Sequence, residues 1–151
     1  METRFLYLLV LPIVKVAAVA RTDVVAVTPN TPVREAAEIM LKKGVGSVVV
    51  VDPANPKRPL GIVGERDLLK AYVMGLSPDT PVSQVMAKLL VTVDAEAHVG
   101  EALLLMKANN VRRVIVTKGG ELYGVLALRD IAYNIPLLKE IVEYFKSSAK
   151  S

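Results

Sequence analysis

The sequence predicts an α/β (α+β) fold made of two tandem copies of one β-α-β-β-α unit, packed sheet to sheet with pseudo-twofold symmetry. The first observation is that the 151-residue chain repeats itself. The second is that apolar residues at helical spacing alternate with short runs rich in valine and isoleucine. The third is size, because a three-stranded unit of about 55 residues buries too little surface to be stable alone. The two copies are therefore expected to share one core.

The duplication is clearest in the first predicted helix of each copy. A shift of 66 positions places Val33, Glu35, Ala36 and Met40 onto Val99, Glu101, Ala102 and Met106. Further along the shift falls to 63, so that residues 61–67 (GIVGERD) lie over residues 124–130 (GVLALRD). The turn-rich residues 52–59 absorb the difference. The predicted segments are an N-terminal apolar extension (1–13), a first repeat (14–75), a second repeat (80–133) and a C-terminal helix (134–151).

Each copy is predicted to run strand, helix, strand, strand, helix. Apolar residues recur every three to four positions in the first helix, as expected for one buried face. Residues 47–51 (SVVVV) and 113–117 (RVIVT) are β-branched runs typical of buried strands. The next strands are predicted to begin at Leu60 and Leu122, and each leads into a short helix.

Both ends of the chain carry apolar residues outside the repeats. Residues 5–11 (FLYLLVL) precede a small-residue pattern at 18–20, but Lys15 interrupts the stretch, so we expect a cytoplasmic protein rather than a secreted one. The run is also shorter than the roughly 20 apolar residues that span a bilayer. The C-terminal helix is predicted to start at Pro136. Its apolar stripe consists of Leu138, Val142 and Phe145.

Composition argues against most catalytic chemistry. The absence of cysteine excludes disulfides, thiolate metal sites and a cysteine nucleophile, and it fits a reducing compartment. The single histidine, His98, is joined by no nucleophile or second histidine in a recognised motif, and no P-loop or complete dinucleotide fingerprint is present. The net charge of +4 is spread over basic residues interleaved with acids, which does not by itself indicate a nucleic-acid interface. We therefore predict no enzyme, no catalytic cofactor and no metal site.

The repeated motifs resemble the CBS domain family, and two ordered copies resemble the regulatory pair called a Bateman module. The resemblance rests on residues 31–40 (TPVREAAEIM), on residues 61–67 and on the second copies of both. It implies a sensor that binds adenosine compounds in clefts between the repeats. The ligands are AMP first, then ADP, ATP or S-adenosylmethionine. It also implies a homodimer, energy sensing and a separate effector protein.

The resemblance assigns roles to particular residues. In the family, the aspartate that closes the strand-to-helix motif accepts hydrogen bonds from the ribose hydroxyls, and Asp67 and Asp130 match it. The family usually has serine or threonine three residues earlier, where this chain has Gly64 and Ala127. Arg112 and Arg113 are the phosphate candidates, because a guanidinium group matches two phosphate oxygens.

The resemblance further implies that each cleft combines the aspartate motif of one repeat with the strand entrance of the other. The first cleft would be formed by Ile62, Gly64, Arg66, Asp67, Leu90, Val91, Arg112 and Arg113. The second would be formed by Val25, Val45, Gly46, Ser47, Val125, Ala127, Arg129 and Asp130. Only the first has cations at the strand entrance. We therefore predict it to be the better site for a phosphorylated ligand.

Simpler interpretations stay open for the same residues. Asp67 and Asp130 would also serve as helix caps, which is compatible with ligand binding. The arginines would also fit as solvated side chains with packed stems. For the whole chain, the alternatives are a ligand-free scaffold for protein interaction and a binder of single-stranded nucleic acid.

Overall fold

The computed structural model describes residues 14–134, 140, 143, 144 and 146–148. The apolar run at 5–11 and the stripe of Leu138, Val142 and Phe145 lie outside the described residues. The chain divides into two compact units. The first-repeat unit contains residues 23–90 and 120–122, and the second-repeat unit contains residues 14–22, 91–119 and the described residues from Tyr123 onward.

The first-repeat unit has the predicted β-α-β-β-α order. Its elements are β1 (Ala26–Val27), α1 (Val33–Lys43), β2 (Ser47–Asp52), β3 (Asn55–Gly64) and α2 (Glu65–Val73). The sheet order is β1-β2-β3, with β1 parallel and β3 antiparallel to β2. Both helices cover one face of this sheet, because Met40 of α1 and Leu68 of α2 pack in one cluster with Val48 and Val63.

The second-repeat unit repeats this architecture. Its elements are β4 (Thr92–Asp94), α3 (Val99–Asn109), β5 (Arg113–Lys118), β6 (Glu121–Ala127, of which residues 121 and 122 are grouped with the first-repeat unit) and α4 (Leu128–Tyr133). The sheet order is β4-β5-β6, and β4 is parallel to β5. Its core contains Val93, Val99, Met106, Val114 and Leu126. The predicted mixed α/β fold with two repeats is confirmed.

Equivalent residues end the first helix of each repeat. Gly44 follows α1 and Asn110 follows α3, and both have left-handed backbone angles (φ 63° and 51°). Glycine and asparagine are the residues that adopt this conformation most readily, and it lets their N–H groups satisfy the last helical carbonyls. The chain then turns at once into the buried central strand.

Strand β3 begins earlier than the sequence predicts. It starts at Asn55 rather than at Leu60, so part of the turn-rich segment belongs to the sheet. The pairing with β2 is irregular on both sides of Val51. The extra residues of the first repeat are thus accommodated by register irregularities in an antiparallel pair, because such pairs tolerate a local bulge.

The first residues of each sequence repeat pack in the unit that contains the sheet of the other repeat. Val16 is fully buried in the second-repeat core, and its N–H donates to Ala97 at 2.8 Å. Val82 is fully buried in the first-repeat core, and its N–H donates to Thr31 at 2.9 Å. The compact units therefore differ from the sequence repeats at their edges. Among the described helices, none has the length and apolar character that a membrane span requires.

Candidate ligand-binding site

Three segments meet at one end of the first-repeat unit. The N–H of Glu65, the first residue of α2, donates to the carbonyl of Gly46 at 3.2 Å. Ser47 lies opposite Gly64 in the antiparallel register. The carbonyl of Val25 accepts from Val49 of the central strand at 2.9 Å. The strand entrance and the aspartate motif of the same repeat are therefore neighbours.

The second-repeat unit brings together the equivalent segments. The N–H of Leu128, the first residue of α4, donates to the carbonyl of Arg112 at 2.8 Å. The carbonyl of Val91 accepts from Ile115 at 3.0 Å. Arg112 and Arg113 consequently lie beside the start of the helix that carries Asp130. The sequence prediction paired these arginines with Asp67, and that pairing stays a prediction.

Both candidate aspartates cap the helix in which they lie. Asp67 Oδ2 accepts from the Gly64 N–H at 2.8 Å, and Asp130 Oδ2 accepts from the Ala127 N–H at 2.9 Å. Asp130 is 8% exposed, whereas Asp67 is half-buried. The aspartates thus stabilise the starts of α2 and α4 from the third helical position, whereas Gly64 and Ala127 occupy the cap position that the sequence interpretation gave to the aspartates. This hydrogen bonding does not exclude ribose binding, because each carboxylate has a second oxygen with further acceptor capacity.

The two ends differ strongly in charge. Arg66 and Arg129 are exposed residues in the first turns of α2 and α4, so each end has one helical arginine. In the segments that converge at the first-repeat end (25, 45–47 and 62–67) the other charged residues are Glu65 and Asp67. In those that converge at the second-repeat end (91, 111–113 and 125–130) they are Arg112, Arg113 and Asp130. Only the second-repeat end therefore has an excess of positive charge, which favours an anionic group.

Sequence reasoning missed the two residues that begin the helices. Glu65 and Leu128 occupy equivalent positions between the strand entrance and the aspartate, and one is acidic while the other is apolar. The signal was available, since an antiparallel β2-β3 pair must place the start of β2 opposite the end of β3. An acid at this point further disfavours an anion at the first-repeat end.

The remaining candidate residues are mostly apolar. Ile62 and Val125 alternate with the buried Val63 and Leu126 along their strands, so they lie on the sheet face opposite the helices. Val45 follows the glycine that ends α1, and Leu90 is 37% exposed. These side chains offer contact surface rather than charge.

The described residues contain no metal cluster. Nowhere in residues 14–134 or in the described part of the C-terminal segment do three His, Cys, Asp or Glu side chains come together. His98 precedes α3, and its Nδ1 lies 3.7 Å from Glu101 at the surface.

Comparison with known proteins identifies the two repeats. The family model for the CBS domain matches residues 16–74 and residues 82–137. The chain belongs to the CBS domain family. The predicted tandem CBS pair is thereby confirmed. The two matches cover the strands and helices of both repeats, including both aspartate motifs.

Relatives of this CBS pair occur in archaea and bacteria. An uncharacterised 17.7 kDa protein of Acidianus ambivalens is 39% identical over 119 residues, covering 78% of this chain and 71% of its own. The CBS domain-containing protein YhcV of Bacillus subtilis is 34% identical, covering 75% and 79%. A CBS domain protein of Pyrobaculum aerophilum, solved in complex with AMP, is 31% identical with a TM-score of 0.77, covering 86% and 99%.

Proposed function

We propose that this CBS pair is a non-catalytic regulatory module that binds an adenosine nucleotide, with AMP as the first candidate. The observation that carries the proposal is the pair of helix-capping carboxylates, Asp67 and Asp130, each at the end of a unit where strand entrance and helix start converge. The AMP complex of the Pyrobaculum aerophilum relative supports this choice of ligand.

The proposed chemistry divides the ligand between two kinds of group. A carboxylate accepts hydrogen bonds and cannot donate them, which suits the diol of a ribose. Arginine presents several N–H donors in a plane, which suits phosphate oxygens. We therefore propose that the aspartates bind ribose and that Arg112 and Arg113 bind phosphate. ADP, ATP and S-adenosylmethionine are the other candidate ligands.

The test compares nucleotides with and without phosphate. Isothermal calorimetry and thermal shift with AMP, ADP, ATP, S-adenosylmethionine and adenosine should show binding and stabilisation by linkage. Arg112→Ala/Arg113→Ala should weaken AMP by about tenfold or more while changing adenosine affinity little, because each charge-assisted bond contributes about 1.5–3 kcal/mol.

The matched control is Lys57→Ala/Arg58→Ala, which removes the same charge from the exposed start of β3. If the control weakens AMP binding as much as the arginine variant does, the effect is one of net charge and the phosphate assignment is wrong. If no adenosine compound binds the wild-type protein, the scaffold function is favoured instead.

We also propose that the protein is a homodimer, and that nucleotide binding to it is sensed by a separate effector protein. The outer face of α2 exposes Leu69, Tyr72 and Val73, three large apolar side chains at helical spacing. On the adjacent α1, exposed Glu38 and Lys42 would face each other if two copies packed antiparallel. This self-complementary charge pattern supports a second copy as the occupant of that face.

Sedimentation equilibrium tests the dimer. Tyr72→Glu should convert the dimer to a monomer, because it places a charge in the centre of the apolar stripe. Lys107→Glu, on the exposed side of α3, is the control and should leave the dimer intact. A wild-type protein that is monomeric at micromolar concentration contradicts the homodimer.

A further inference from the structure

The internal symmetry of the chain extends to the backbone contacts made by residues 14–22 and by the equivalent residues 80–88. Val14 accepts from Val99 at 2.8 Å, and the equivalent Thr80 accepts from Val33 at 2.8 Å. The isolated bridge between Lys15 and His98 likewise has its counterpart between Pro32 and Pro81. In these contacts the shift of 66 positions maps one unit onto the other.

One contact of the second-repeat unit has no counterpart among the described residues. Arg21 pairs with Val125 at the outer edge of β6, and the two residues exchange both backbone hydrogen bonds at 2.9 Å. The shift of 66 positions places Arg21 onto Ala87, and the shift of 63 places Ile62 onto Val125. The symmetry therefore predicts a bridge between Ala87 and Ile62 at the outer edge of β3. Within residues 14–134 no such bridge is formed.

The edge of β3 at Ile62 is ready for a strand partner. The N–H of Val49 donates to the carbonyl of Val25 on the β1 side of β2, and therefore points away from β3. The residues before and after Val49 make the backbone hydrogen bonds to β3. Ile62, which lies opposite Val49, therefore points its N–H and C=O away from β2. Neither group has a backbone partner among the described residues. Such an unpaired edge is a template for an added extended segment.

Each of the two strand edges has a glycine at a position where a Cβ would collide with a neighbouring residue. A Cβ on Gly124 would collide with the backbone carbonyl of Arg21. A Cβ on Gly61 would lie 2.8 Å from the Sδ atom of Met86. The space filled by backbone in the second-repeat unit is thus filled by a thioether in the first-repeat unit. Met86 also packs against the first-repeat core, and because methionine is flexible its side chain can move away from Gly61 by a change of rotamer.

We propose that the edge of β3 at Ile62 is a docking site for residues 87–89 of the same chain. Ala87, Lys88 and Leu89 are exposed and lie directly before Leu90 and Val91. In the docked state Ala87 pairs with Ile62 as Arg21 pairs with Val125, and Met86 vacates the space over Gly61. Docking would use residues 87–89, which directly precede the Leu90 and Val91 that lead into β4. Its dependence on nucleotide rests on the proposed function, because Leu90 and Val91 are candidate ligand contacts.

Amide hydrogen exchange on the wild-type protein tests this directly. The Val125 amide should be protected with and without AMP, because it is bonded to Arg21. The Ile62 amide should exchange faster than that of Val125 in the free protein and become at least about fivefold more protected with saturating AMP. An Ile62 amide that gains no protection when calorimetry shows AMP bound overturns the proposal. Equal protection of the two amides without AMP would show that the edge is already paired and overturns its dependence on nucleotide.

Cysteine crosslinking gives a second measurement, which is clean because the chain has no cysteine. Bridge partners lie about 5.5 Å apart between Cα atoms, within disulfide range. Ile62→Cys/Ala87→Cys should oxidise, and Arg21→Cys/Val125→Cys is the control. A control that oxidises beside a test pair that never does overturns docking. If AMP does not bind but the test pair oxidises, the proposed function fails and docking stands.

Discussion

The backbone N–H of Leu128 donates to the carbonyl of Arg112 across 2.8 Å, so that the start of β5 lies beside the first turn of α4. The equivalent contact in the first repeat joins Glu65 to Gly46 at 3.2 Å. Because an arginine occupies the position of a glycine, the strand entrance brings a cation to the start of α4 but not to the start of α2. The duplication provides two similar ends, and substitution has made them chemically unequal.

Combining variants would show which aspartate shares a nucleotide with the two arginines. The sequence prediction pairs them with Asp67. If that is right, Asp67→Ala should add little to the loss of AMP binding in Arg112→Ala/Arg113→Ala, whereas Asp130→Ala should remove the remaining binding. Calorimetry of the combined variants measures both losses. The reverse pattern would assign the arginines to the aspartate of their own repeat.

The capping bonds predict how the aspartate variants affect stability. Asp130→Ala leaves the buried Ala127 N–H without its acceptor, which should lower the free energy of unfolding by roughly 1–3 kcal/mol. Asp67→Ala should cost less, because Asp67 is half-buried and water can replace it. Chemical denaturation without nucleotide measures both. Asp130→Asn retains an acceptor and should recover most of the loss, and an equal cost at both sites contradicts this interpretation.

The two edge glycines should differ in their tolerance of a side chain. Gly124→Ala forces a methyl group against the backbone of Arg21 and should destabilise the protein by about 1–3 kcal/mol. Gly61→Ala meets only the flexible thioether of Met86 and should cost less. Thermal denaturation compares the two variants. Adding Met86→Ala should relieve the Gly61→Ala cost only, and relief of Gly124→Ala would be inconsistent with the packing described.

A surface ion pair within the second-repeat unit joins Lys15 to Glu96. Lys15 Nζ lies 2.6 Å from Glu96 Oε2, and this hydrogen bond together with the opposite charge lowers the pKa of Glu96 and raises the pKa of Lys15. The stabilisation from Glu96 is present above its unfolded pKa and is lost as the pH falls through its folded pKa. The stabilisation from Lys15 is present below its unfolded pKa and is lost as the pH rises through its folded pKa.

Glu96→Gln should therefore lower the melting temperature slightly at neutral pH and low salt, because exposed pairs contribute little. The difference from wild type should vanish in acid and shrink at about 1 M salt. Glu101→Gln, in the first turn of α3, is a comparison variant that leaves the Lys15 pair intact. A Glu96→Gln penalty that persists in acid would show that the contact is not electrostatic.

Local patterns predicted most of the fold. The spacing of apolar residues indicated the first helix of each repeat, and the valine-rich runs indicated β2 and β5, because these signals depend on neighbours in sequence. The start of β3 was misplaced by five residues, since Pro56 and Pro59 suggest a loop but are tolerated at a sheet edge. The aspartate positions were found because the motif is itself local.

The sequence by itself determined the duplication, the order of the elements and the unequal charges of the two strand entrances, since each of these follows from residues close together in the chain. Only the tertiary structure decided that Val16 and Val82 are buried in the cores of opposite units. It also decided that Arg21 occupies the edge of β6, while the edge at Ile62 has no strand partner among residues 14–134. Such contacts join residues that are far apart in the sequence, as Arg21 and Val125 are. The hydrophobic pattern specifies which residues are buried. The tertiary course of the chain decides which residues they pack against.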